Sequence, residues 1–199
     1  MMNLFTVIVI LFLIMDPFGN ISSFQKLMQY VPAERRNKVI LREMVFALIL
    51  MLLFNIIGEG IFYALDLSEL TVRVASGTIL FLTAIKILFP TMDSPRANLP
   101  NEEPYLIPLA IPLIAGPSAL ATIMLFAHVD TTFVEMNIAI FVSWALALGV
   151  LLSGKKLHEL VGDNGLLAFE KLMGMILVML AIQRFAEGIQ QFVTKCVNC

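Results

Sequence analysis

The sequence predicts an all-α polytopic membrane protein: six transmembrane helices in two inverted three-helix repeats, with helices one and four broken. Three observations lead there. The 199 residues are 59% hydrophobic and only 14% charged, whereas soluble domains run to roughly 45–50% apolar and about 25% charged. A soluble fold of this size could not hide so much apolar surface, so the excess faces lipid. Six apolar stretches approach the roughly 20 residues that a helix needs to cross a bilayer core of about 30 Å. Two of these stretches are interrupted mid-way by a Pro with small and polar neighbours.

Composition also excludes function classes. The net charge is −2 and no basic block stands out, so nucleic acid is not an expected partner. The two cysteines, Cys196 and Cys199, close the chain, which leaves no disulfide framework or zinc cluster. Their C-x-x-C spacing lies in a polar tail without strand–helix context, a poor redox motif.

The spans run over 3–24, 42–63, 71–90, 105–128, 134–153 and 166–187. Backbone groups in lipid must bond internally, and segments of this length require helices rather than a barrel. The first span has no Lys or Arg before it and no small-residue cleavage site after it, so it reads as a retained helix rather than a signal peptide. Residues 1–90 form the first repeat, 91–104 a connecting loop, 105–187 the second repeat and 188–199 a polar tail. Lys26, Arg35, Arg36, Lys38 and Arg42 fall in the first loop, Arg96 in the third, and Lys155 and Lys156 in the fifth. Odd loops therefore face the cytoplasm, and both termini lie on the periplasmic side.

The third and sixth spans can be laid side by side. The stretch Gly77–Ile85 sits over Gly174–Ile182 with five of nine positions identical. The first and fourth spans correspond through Pro17 and Pro117. With three spans per half, the second half is inserted upside down, and paired broken helices point to a secondary transporter.

Each break reads as a binding element. Leu4–Met15 is apolar but spans only about 18 Å at 1.5 Å per residue. It is followed by Asp16-Pro17-Phe18-Gly19-Asn20, in which Asp16 is placed to cap a new helix with Pro17 at its first position. Ser22 and Ser23 could bond freed carbonyls. The fourth span repeats this with Pro108 and Pro112, then Ala115-Gly116-Pro117-Ser118, and Thr122 one turn on. Two short helices beginning near the midplane would aim free N–H groups and partial positive charge at a carboxylate. A plain kink is the competing reading of either break alone.

Asp16 is the foremost intramembrane charge and the candidate for proton or sodium coupling. Asn55 and Glu59 share a face of span two. Lys86 reads as snorkelling, Arg42-Glu43 and Glu170-Lys171 as boundary pairs, and Gly77, Ser76 and Gly174 as packing positions. His128 reads as an interfacial surface residue.

The Asp16–Asn20 motif, the run Pro108-Leu-Ala-Ile-Pro-Leu-Ile-Ala-Gly-Pro-Ser-Ala-Leu-Ala-Thr122 and the six spans resemble the MarC family along essentially the whole chain. Ser118 departs mildly from the Gly or Thr frequent there. The resemblance implies a bacterial inner-membrane protein with inverted repeats. Some relatives are regarded as carriers of glycine, alanine and similar amino acids driven by cation gradients. It also implies kinship with lysine exporters and thiol carriers, but the latter need an intramembrane Cys that this chain lacks.

The expectation is therefore a secondary transporter of small neutral amino acids, not an enzyme, working by alternating access without a cofactor. Its substrate site would comprise Asp16, Pro17, Gly19, Asn20, Ser23, Gly116, Pro117, Ser118 and Thr122. The expected partners are the lipid bilayer and a small-molecule substrate, and the apolar surface allows a monomer or a homo-oligomer. The rival readings are a scaffold or regulator without transport, and an exporter of another metabolite or drug. An exporter would want an aromatic pocket, and the single Trp144 lies in span five, away from both breaks.

Overall fold

The computed structural model describes residues 3–32, 34–64, 69–89, 114–129 and 131–197. It contains α1 (Leu4–Met15), α2 (Pro17–Met28), α3 (Arg36–Ala64), α4 (Glu69–Leu88), α5 (Pro117–Val129), α6 (Phe133–Leu152) and α7 (Gly154–Val197). No strand occurs among the described residues. Local chemistry sets several of the ends. The Asn3 side chain accepts from the Phe5 N–H at 3.2 Å and caps α1. Thr132 and Glu135 form a reciprocal capping box at the start of α6.

Four segments are long and apolar enough to cross a membrane: Leu4–Ile21, Arg36–Gly58, Phe133–Leu152 and Gly154–Gln191. They answer to predicted spans one, two, five and six. Val74–Leu88 and Pro117–Ala127 are apolar but shorter. The predicted 91–104 connection, residues 105–113 of the fourth span and Cys199 lie outside the described residues.

The predicted fifth loop is instead helical. α7 starts at Gly154, directly after Ser153, and carries Lys155 and Lys156 on its first turn. The break comes at Gly162, with φ 69° and ψ 177°. That backbone region is essentially restricted to glycine. A polar helical turn can lie at the interface, so a basic segment need not be a loop.

Side chains that carry no polar load set the packing. α4 and α7 run antiparallel along a seam of glycines. A Cβ added at Gly77 would stand 2.7 Å from the Phe185 backbone nitrogen, and one at Gly174 2.9 Å from Leu88 Cδ2. At Gly188 it would meet Val74 Cγ2 at 2.8 Å. Small residues let the two backbones close up in an environment that gives no hydrophobic drive between helices. Lys171, expected at a boundary, donates its ammonium to the Ile87 carbonyl at 3.2 Å and also to that of Leu88, which satisfies the open end of α4. Across the bundle, Ser143 Oγ donates to the Ile8 carbonyl at 2.9 Å, and Trp144 Nε1 to the Met44 carbonyl at 2.7 Å. α6 is thereby tied to α1 and α3. Ile10, Met51, Leu80, Phe126 and Leu177 fill the interior, while Ile49, Ile56, Phe141 and Met179 are exposed on the outside. An apolar exterior of this kind suits lipid and would be a liability in water.

Candidate functional site

At the first break, α1 ends at Met15 and Asp16 adopts the left-handed conformation, φ 43° and ψ 60°. That conformation costs a non-glycine residue roughly 1–2 kcal/mol, least for Asp and Asn. The predicted cap forms: the Gly19 N–H donates to Asp16 Oδ1 at 3.2 Å, and Pro17 is the first residue of α2. The Asp16 N–H closes α1 on the Phe12 and Leu13 carbonyls, and its own carbonyl accepts from the Asn20 N–H at 3.1 Å. The freed Met15 carbonyl takes Asn20 Nδ2 at 2.9 Å. The sequence suggests Ser22 and Ser23 for such a rescue. Asn20 makes this bond, because it stands on the first turn of α2, five residues from Met15. Asp16, Pro17, Asn20 and Ser23 are buried together, with Gly19 half-buried.

Ser143 pairs with Ile8, and Gly154 meets Ile21, its added Cβ 3.4 Å from Cγ2. Asp16 therefore comes level with the last turns of α6, about 10 Å from that helix's middle at 1.5 Å per residue. The first break thus sits toward one end of α6 rather than beside its middle. Counting along one helix cannot show how far that helix is shifted against its neighbours.

At the second break, buried Ile114, Ala115 and Gly116 lead into Pro117, the first residue of α5. The Leu120 N–H donates to the Gly116 carbonyl at 3.0 Å and opens the helix. Pro117 is exposed and Ser118 half-buried. Thr122 is fully buried, and its hydroxyl has no hydrogen-bond partner among the described residues. The two half-helices have different principal neighbours: α2 lies against α7 and α6, and α5 against α3 and α4, with α1 alongside α5. The residues of each break are gathered locally, the first around Asp16 and the second along the start of α5.

Among the described residues, buried Glu43, Asn55, Ser76, Thr83, Ser143 and Arg184 are not among the site candidates that the sequence suggests, and Glu43, Asn55 and Arg184 carry the largest polar groups. Glu43 is 1% exposed; Arg42 donates to its Oε1 from Nε at 3.0 Å and from Nη2 at 2.8 Å. Its Oε2 has no partner among the described residues. Asn55 is buried with both amide atoms unpartnered among the described residues. Arg184 is 8% exposed. Its guanidinium lies 5.6 Å from the centre of the Phe126 ring, one turn past Thr122, and 3.5 Å from Glu187. Because Phe185 meets Gly77 and Gly188 meets Val74, Arg184 comes level with Thr78, near the middle of α4. The sequence does carry a signal for it, since a charge in an apolar run is a functional candidate by default. Its depth is hidden there because α7 continues well beyond the predicted span end. Among the described residues no three His, Cys, Asp or Glu side chains gather to hold a metal ion.

The family profile described as MarC family integral membrane protein matches residues 1–193. A UPF0056 membrane protein of Buchnera aphidicola from Acyrthosiphon pisum is 43% identical over 192 residues, 96% of this chain and 97% of that one. The UPF0056 inner membrane protein YhgN of Escherichia coli K12 is 42% identical over 186 residues, 92% of this chain and 94% of its own. A UPF0056 membrane protein of Pyrococcus horikoshii is 30% identical over 183 residues, 90% of either chain. No solved structure matches the chain. A match over nearly the whole length leads to one conclusion: the chain belongs to the MarC family of integral membrane proteins.

Proposed function

We propose that this protein is a secondary carrier of small neutral amino acids in the bacterial inner membrane, driven by a proton or sodium gradient. The observation that carries the reading is the pair of half-length helices, α2 and α5, each opened by a proline after a buried break, one break bearing a buried carboxylate. Broken helices in corresponding halves are where secondary transporters hold substrate and coupling ion. The antiparallel seam of α4 and α7 adds support. Their matching segments begin at Gly77 and Gly174, and both glycines sit in the same helix–helix contact. Two inverted three-helix repeats would bring equivalent helices together in that way.

In this reading Asp16, Pro17, Gly19, Asn20 and Ser23 form one side of the site, and Gly116, Pro117, Ser118 and Thr122 the other. The open hydroxyl of Thr122 and the amide of Asn20 suit an ammonium or a cation. The positive end of α5 suits the carboxylate. Asp16 is the coupling residue, both termini are periplasmic, and repeats rocking against each other give alternating access. The test is uptake of labelled glycine and alanine by proteoliposomes under separate proton and sodium gradients. Saturable, gradient-driven uptake that Asp16→Asn and Ser118→Ala each reduce is the expected result. Full uptake in both variants would remove the site assignment, and no uptake in the wild type would remove these substrates.

One observation favours a second reading, a membrane scaffold or regulator without transport. Asp16 already accepts the α2 cap, so the first break can stand as a structural joint. Correctly folded protein that binds and moves no small solute would favour that reading.

A further inference from the structure

Where α2 ends and α3 and α7 begin, a cavity of about 460 Å³ opens between α2, α3, α6 and α7. Its size falls within the roughly 300–1,000 Å³ of small-molecule sites. It lies outside both breaks, and its two walls differ in chemistry.

One wall, from the α2 end and α6, carries apolar Phe24 and Leu152 together with the uncharged amides of Gln25 and Gln29. Phe24 is buried, but Leu152 is 43% exposed, so this wall runs out onto the lipid-facing surface. The other wall carries Arg36, the first residue of α3, with Lys155 and His158 from the first turns of α7. Glu159 also lines the cavity, 3.9 Å from Lys155, so two fixed cations face one carboxylate. Arg36 makes one hydrogen bond among the described residues, from Nε to the Val31 carbonyl at 3.1 Å, and its terminal nitrogens remain for a ligand. α3 and α7 start at this cavity while α2 and α6 end at it, so the helix termini add partial charges of both signs and the fixed cations set the balance. Exposed Arg35, Lys38 and Lys156 gather at the same end of the bundle.

We infer that this cavity binds the phosphate of an amphiphile, and that the amphiphile is an anionic phospholipid. Its phosphate sits between Arg36 and Lys155, and its acyl chains leave over Leu152 along the outside of the bundle. A free anion would use the cationic wall but would have no use for a wall continuous with the lipid surface. A zwitterionic lipid would meet the cationic wall without net charge. The inference is independent of the transport reading, because it needs no solute to cross the membrane.

The test is binding to the full-length protein in a neutral detergent, with bound lipid counted by native mass spectrometry. The probes are dioctanoyl phosphatidylglycerol, dioctanoyl phosphatidylcholine and inorganic phosphate. The expected result is phosphatidylglycerol bound at least tenfold more tightly than either other probe. Removing one basic charge weakens attraction to anionic lipid by about fivefold. Lys155→Gln should show that loss, and because its side chain is exposed the variant should fold as the wild type does. Lys156→Gln, on the same turn but not lining the cavity, should bind like the wild type. Three outcomes would each overturn the inference: phosphatidylcholine binding as well as phosphatidylglycerol, phosphate alone binding as tightly as the lipid, or equal losses in Lys155→Gln and Lys156→Gln.

Discussion

The two breaks share a motif and differ in how they use their polar groups. Each has a proline at the first position of a half-length helix, where its missing N–H costs nothing. At the first break, Asp16 Oδ1 takes the Gly19 N–H, and Asn20 Nδ2 takes the Met15 carbonyl. At the second, Thr122 is buried one turn into α5 with its hydroxyl open among the described residues. A buried polar group left unmatched costs about 1–3 kcal/mol. The first break is thus a joint whose polar groups support the backbone. The second holds a buried hydroxyl that no described residue answers.

The largest expected effect breaks the first joint. Asn20→Leu strips the Met15 carbonyl of its donor in an apolar setting and should lower stability by about 1–3 kcal/mol. Thermal or denaturant unfolding in detergent, followed by circular dichroism, reads this directly. A variant as stable as the wild type would mean that the first break is not held from within.

Asp16→Ala should follow, at about 1–2 kcal/mol, because it removes the α2 cap and places alanine in a left-handed conformation. Asp16→Asn keeps an acceptor oxygen and tolerates that conformation, so its stability should stay within about 0.5 kcal/mol. If the charge couples transport, Asp16→Asn alone should separate the two roles, folding normally while losing gradient-driven uptake.

Thr122→Val sharpens the comparison from the other side. It replaces an unpaired hydroxyl with a methyl of similar shape, so stability should be unchanged or slightly higher. If Thr122 binds substrate as proposed, affinity should fall about tenfold or more, the loss of one buried hydrogen bond. A destabilised Thr122→Val would show that the hydroxyl serves the fold and would erase the contrast. The smallest effect belongs to Pro117→Ala, at an exposed first helical position, where stability should change by no more than about 0.5 kcal/mol.

Much of the first break is legible in the sequence. Asp-Pro before a helix signals a cap, and the cap forms. The partner of the Met15 carbonyl is not legible, because several polar residues follow closely in sequence and only the turn geometry brings Asn20 to it. The seam between α4 and α7 is legible as small residues at Gly77 and Gly174, since close backbones demand them. Glu43, Asn55 and Arg184 are visible as polar residues in apolar runs but cannot be placed from the chain alone. Hydropathy reports that a segment is in the membrane, not which face of it meets another helix. The same limit explains Lys171, which reads as a boundary lysine and proves to cap α4 from a helix distant in sequence.

By itself the sequence determined the class of this protein. An apolar excess this large, cut into membrane-length segments by prolines and charges, allows only helices in lipid, because backbone groups there must bond within their own segment. It also marked the two proline breaks before α2 and α5, since proline and its neighbours act through local covalent geometry, but not the break at Gly162 inside α7. Tertiary structure alone decided which polar groups are answered and which stay open. It decided the depth of Asp16 against α6, the burial of Arg184 beside Phe126, the open hydroxyl of Thr122 and the two-walled cavity between α2, α3, α6 and α7. These depend on the shift and rotation of one helix against another. That shift is set by close packing summed over many weak contacts, and no single stretch of sequence records it.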